Sequence, residues 1–128
     1  MKVLLDTHAL IWFIAGDNQF SENARRLLAG QPEGVFVSIA SIWEIAIKLA
    51  LGKLQVRLRL EDQLRAFLDQ NGFEVLPIEY AHAARAASLP FKHRDPFDRL
   101  LVAQALIENM TIVSHDAILD EYRIKRVW

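Results

Sequence analysis

The chain has 128 residues, 52% hydrophobic and 24% charged, which fits a single compact domain over residues 1–128 with a sizeable core and excludes intrinsic disorder. It contains no cysteine, which excludes disulfides, thiolate metal sites and cysteine nucleophiles, and its apolar stretches fall far short of the roughly 18 residues a membrane span needs. Fifteen basic and 16 acidic residues give a formal charge of -1, so a polyanionic partner requires a local basic patch or metal ions rather than a global field.

Lys2 enters Val3-Leu4-Leu5 without a secretory cleavage pattern, so a cytoplasmic location is expected. That apolar run ends in Asp6-Thr7-His8, the pattern of a buried strand stopping at Asp6. Ala9 to Ala15 is apolar on every side and halts at Gly16, which predicts a buried helix turned off by glycine. Ser21-Glu22 opens a second helix through Ala29, and Val35 to Val37 is the next strand. Ser38 suits an N-cap and Gly52 the position beyond a helix end, so Ile39 to Leu51 is one helix, with Glu44 its single acid. Leu60 to Gln70 has amphipathic spacing, and Phe73 to Ile78 reads as a strand that Pro77 places at a sheet edge or a strand end. Glu79 to Ser88 is an alanine-rich helix, and Lys92-His93-Arg94 is a basic loop. Asp95-Pro96 is an N-cap followed by proline, opening a largely apolar and therefore central helix, Phe97 to Glu108. Met110 to Val113 is a strand, Ala117 to Glu121 a short helix, and Ile124 to Val127 a last weak strand.

Strands alternating with helices predict the α/β class, a three-layer α/β/α arrangement with a mainly parallel central sheet. Ligands of such sheets sit at the carboxyl ends of the strands. Asp6 and Asp116 each follow an apolar strand, while Glu44 and Asp98 lie early enough in their helices to lean over the same edge. Carboxylates gathered in one place raise one another's pKa and need cations, and an all-oxygen donor set suits Mg²⁺ or Mn²⁺. Ions held this way recur in phosphodiester hydrolysis, where they bind phosphate and activate water.

Each acid also has a plainer reading. Asp6 and Asp116 suit helix caps, and Asp95 is assigned to the cap three residues before Asp98. Glu44 can pair with Lys48, worth about 0.2–0.5 kcal/mol, although its apolar neighbours argue for a polar cavity instead. His8 and His115 flank strand-end acids without zinc-like spacing, and surface roles suffice for His82 and His93. Lys92, Arg94 and Arg99 are candidates for backbone-phosphate contacts or for a solvated, salt-bridged face.

Four segments together carry a resemblance: Leu4-Leu5-Asp6-Thr7-His8; Ser38-Ile39-Ala40-Ser41-Ile42-Trp43-Glu44-Ile45; Arg94-Asp95-Pro96-Phe97-Asp98-Arg99 continuing to Ala105; and Ile112-Val113-Ser114-His115-Asp116. In order and spacing along almost the whole chain they resemble the motifs of PIN-domain nucleases, and the length resembles the stand-alone VapC-type toxins of type II toxin-antitoxin pairs. The resemblance implies a metal-dependent endoribonuclease in which Asp6, Glu44, Asp98 and Asp116 hold Mg²⁺ or Mn²⁺, with Thr7, Ser41 and Ser114 in supporting roles. It further implies an RNA substrate, a homodimer and silencing by a cognate antitoxin. Two departures stand out: His8 replaces a small polar residue common in relatives, and Asp95 leaves open which of Asp95 and Asp98 contacts metal.

Two other classes compete. A Mg²⁺-binding signalling receiver shares the parallel sheet and the length, but Asp6 stands alone where receivers carry paired acids. A catalytically inactive PIN-like scaffold would bind partners without metal. A haloacid-dehalogenase-like phosphatase is excluded because its second aspartate would fall at His8.

Overall fold

The computed structural model describes residues 1–56 and 58–128. The strands are β1 (Lys2–Leu5), β2 (Gly34–Ser38), β3 (Phe73–Leu76), β4 (Met110–Val113) and β5 (Arg126–Val127). The helices are α1 (Thr7–Ala15), α2 (Glu22–Ala29), α3 (Ile39–Ala50), α4 (Arg65–Gln70), α5 (Tyr80–Ser88) and α6 (Pro96–Glu108). The strands form one sheet in the order β3-β2-β1-β4-β5, and every pairing is parallel. No helix among the described residues is long and apolar enough to cross a membrane.

Period-two alternation splits the strand side chains between two apolar cores. Val3, Leu5, Val35, Val37 and Val113 face α1, α2 and α4, whereas Leu4 and Ile112 face Leu101, Val102 and Ala105 of α6. Helices thus cover both faces, as parallel strands buried on both sides require. The chain builds outward from β1 to β2 and β3, then returns to add β4 and β5 on the other side. Neighbouring connections therefore diverge between β1 and β4 and leave a crevice at their carboxyl ends.

Several expectations change in detail. Helix α1 buries only Thr7, Ala9 and Leu10; Ile11 to Ile14 are half-buried, because a short helix packed on a sheet covers one side only. Gly16, at φ 64°, ends it by donating to the Phe13 carbonyl at 3.2 Å. The Leu60 to Gln70 helix opens with a wide π-type turn over Leu60–Leu64, in which Leu64 N–H reaches back to the Arg59 carbonyl at 3.0 Å, before settling into α4. Strand β3 stops before Pro77 and does lie at an edge. The Ala117–Glu121 turn is 3₁₀, and the last strand contracts to Arg126–Val127.

Candidate metal centre

Asp6 and Asp116 sit at the crevice between β1 and β4. The Asp6 N–H extends the ladder to the Val113 carbonyl at 3.1 Å, and its carboxylate caps α1 by accepting from Ala9 N–H at 2.8 Å. Asp116 caps the Ala117–Glu121 turn through Oδ1, which accepts from Ile118 N–H at 3.0 Å, while Oδ2 faces the loop before α6. Capping and membership of an acidic cluster are therefore compatible, because a carboxylate has two oxygens. Asp95 caps α6 as expected, accepting from Phe97 N–H at 2.8 Å, and so directs Asp98 in the first turn towards the crevice. Glu44 is 7% exposed on α3 and pairs with Lys48 Nζ at 3.1 Å, so the pairing set against a polar cavity does form. Both residues line a cleft of about 440 Å³ that also takes in Lys53, Arg94 and Asp95.

The hydroxyls brace this arrangement. Thr7 donates to the Ser41 oxygen at 3.0 Å, joining α1 to α3 in a buried contact. Ser114 accepts from Asp116 N–H at 3.0 Å, which leaves its own proton for Asp6.

The electrostatics are those of crowded, partly buried carboxylates. Burial, reinforced by the charges of Asp95, Asp6 and Glu44, pushes Asp98 from 3.8 to about 7 despite the opposing pull of His93. Burial, with a smaller contribution from the repulsion of Asp116, also raises Asp6, against the hydrogen bonds from Ser114 and Ala9 and the nearby His8. That Asp6 and Glu44 both bear on Asp98 places three elements' carboxylates within one field.

His93 is the residue the sequence concealed. Its Nε2 lies 2.6 Å from Asp116 Oδ2 and 3.3 Å from Asp98 Oδ2. Its Nδ1 accepts from Asp95 N–H at 3.0 Å, so the ring proton belongs on Nε2, pointed at Asp116. A polar loop gave no sign that this ring turns inward. Among the described residues, the one group of three or more potential ligand side chains gathered closely enough for an ion is His93, Asp98 and Asp116, so His8 and His115 stand outside it. The Asp95 contact opposes the tautomer in which Nε2 would offer a lone pair, which leaves oxygen as the donor chemistry and fits a hard divalent ion.

Two expectations of surface position, for Arg99 and His82, need correction. Arg99 is 7% exposed, and its guanidinium donates to the carbonyls of Pro90, Ala86 and Leu89 at 3.0, 2.8 and 3.1 Å, so it holds the α5–α6 connection instead of facing phosphate. Lys92 and Arg94 remain exposed. His82 is buried, not superficial: its Nδ1 accepts from Glu79 N–H at 2.9 Å in a cap that starts α5.

Solved structures share this fold. VapBC2 from Rickettsia felis bound to a promoter DNA fragment superposes with a TM-score of 0.73 at 17% identity, covering 100% of this chain and 99% of that one. DNA-bound VapBC from Salmonella typhimurium matches at 0.69 and 20% identity, with 99% and 97% covered. The sarcin-ricin loop cleaving toxin VapC20 from Mycobacterium tuberculosis matches at 0.68 and 16% identity, with 98% of each chain covered. The comparison with curated proteins finds no match. A family model for the PIN domain matches residues 3–125, spanning every strand-end acid described above, which removes the signalling-receiver alternative: the chain belongs to the PIN domain family.

Proposed function

We propose that the chain is a metal-dependent endoribonuclease, the toxin of a type II toxin-antitoxin pair acting in the cytoplasm, as one domain over residues 1–128. The observation that carries this reading is the close approach of Asp98 and Asp116, with Asp6 and Glu44 near enough for their charges, together with burial, to raise Asp98 to about 7. Membership of the PIN domain family and the likeness to toxin-antitoxin complexes support it. A bound Mg²⁺ or Mn²⁺ would polarise the scissile phosphate and acidify a water. Asp6, Glu44 and Asp98 would hold such an ion, and Asp116, kept in place by His93 and by its own cap, would orient the water. Thr7, Ser41 and Ser114 fix the acid-bearing elements, Asp95 positions Asp98, and Lys92 and Arg94 contact RNA backbone. An antitoxin partner and a homodimer belong to the same reading.

The test is calorimetric titration with Mn²⁺ of the wild type beside Asp6→Asn, followed by incubation of both with total RNA. Binding and cleavage in the wild type, both lost in the variant, are expected. A wild type that neither binds Mn²⁺ nor cuts RNA would support the scaffold alternative.

A further inference from the structure

A second cavity of about 650 Å³, sharing no lining residue with the Glu44 cleft, is lined by Asp6, Asp116 and the rings of His8, Trp12 and His115, together with Gln19. Its wall is aromatic for reasons of packing. His8 and Trp12 lie one helical turn apart on α1, with ring centroids at 5.8 Å, and His115 meets the Trp12 ring edge-on at 5.9 Å. Trp128 braces both from behind, at 5.6 Å from Trp12 and 5.7 Å from His115, and is itself held against Phe20 at 5.7 Å. The rings are therefore preorganised before any ligand arrives, while His8, Gln19 and His115 stay exposed to whatever enters.

We propose that this cavity is a nucleobase site, taking one unstacked base of a single-stranded RNA whose phosphate lies over the acidic cluster. The inference rests on the reading of that cluster as the phosphodiester site. Three features argue for a base. The cavity shares Asp6 and Asp116 with the cluster, so a nucleotide spans the two sites through its own sugar. Its size falls in the range of small-molecule pockets. Flat aromatic and imidazole rings suit stacking, the usual way in which unpaired RNA bases are held, and the Gln19 amide offers both a donor and an acceptor to a base edge. Since every base has a π-face, stacking supplies affinity with only modest sequence preference.

The test compares adenosine 5′-monophosphate with ribose 5-phosphate by calorimetry in the presence of Mn²⁺, because the two differ only by the base. In the wild type the nucleotide should bind about 5- to 150-fold more tightly, the ratio that stacking one base confers. Trp12→Ala should bring the ratio near one and His115→Ala should lower it, while Trp12→Phe, which keeps a ring and the packing on Trp128, should retain most of it. Mn²⁺ affinity and the circular dichroism spectrum should be unchanged in Trp12→Phe and His115→Ala. Equal affinities for the two ligands in the wild type, or an undiminished ratio in a folded Trp12→Ala, would overturn the proposal. Failure of Mn²⁺ to bind the wild type would overturn the metal reading instead, and the ratio would still decide the base site because sugar and phosphate are common to both ligands.

Discussion

His93 illustrates how one loop side chain conditions a cluster of acids. Its Nε2–H stands between Asp98 and Asp116 and relieves part of their repulsion, while Asp95 N–H on its far nitrogen sets the tautomer. A positioning residue of this kind acts through Asp116, and loss of a hydrogen-bond partner that orients a metal-site carboxylate typically costs about 10–100-fold in activity. His93→Ala should show that loss in RNA cleavage and still bind Mn²⁺ at least as tightly as wild type, since no ligand disappears. A fall in Mn²⁺ affinity matching that of Asp98→Asn would make His93 a ligand. The acids themselves impose a pH dependence. Asp98, raised from 3.8 to about 7, lends stability that is complete below its unfolded value and is lost as the pH rises through 7, and Asp6 shifts in the same direction. In EDTA, the thermal midpoint should therefore fall from about pH 5 to about pH 8, as unfolding free energy on the order of a few kcal/mol is lost. Mn²⁺ displaces the same proton, so its apparent affinity should climb about tenfold per pH unit below 7 and level off above it.

Between elements, the joint that matters runs from α5 to α6. Arg99, in the first turns of α6, reaches back to the carbonyls that end α5, and its guanidinium lies 4.3 Å over the Phe91 ring. The loop so clamped is the one that presents His93. Arg99→Ala would strand those carbonyls, and a loss of about 2–4 kcal/mol is expected in denaturant unfolding. If Arg99 gripped RNA, the substitution would spare stability and flatten the salt dependence of RNA binding. The caps at this scale were largely legible: Ser21, Ser38 and Asp95 each accept the N–H expected of an N-cap. The inward turn of Arg99 was not, because an arginine in the first turns of a helix carries no local mark of the carbonyls that the fold brings to it.

For the molecule as a whole, strand order decides what the acids can do together. Adding β4 beside β1, after β2 and β3 on the other side, sets the ends of β1 and β4 next to each other and brings Asp6 and Asp116 across one crevice. A site assembled from distant parts of the chain links ion binding to global stability. At Mn²⁺ about 100-fold above its dissociation constant, the wild type should gain about 2.7 kcal/mol, read as a rise in the thermal midpoint. Asp6→Asn should show no such rise, and at about pH 8 in EDTA it should be at least as stable as the wild type, because an amide adds no charge to the crevice. A metal-dependent rise that survives in Asp6→Asn would place the ion elsewhere.

The sequence by itself determined the alternation of strands and helices, the caps, the glycine stop of α1, and which acids lie at strand ends, since apolar periodicity and capping chemistry act over a few residues. It also carried the spacing of segments by which the family is known. Only the tertiary structure decided that Glu44 shares a cleft with Arg94 and Asp95, that His93 turns inward and Arg99 away from solvent, and that Trp12 and His115 line one cavity with Trp128 packed against both. The reason is distance along the chain: these contacts join residues far apart in sequence, and their energy depends on burial and charge that exist only once the parallel sheet has brought the segments together.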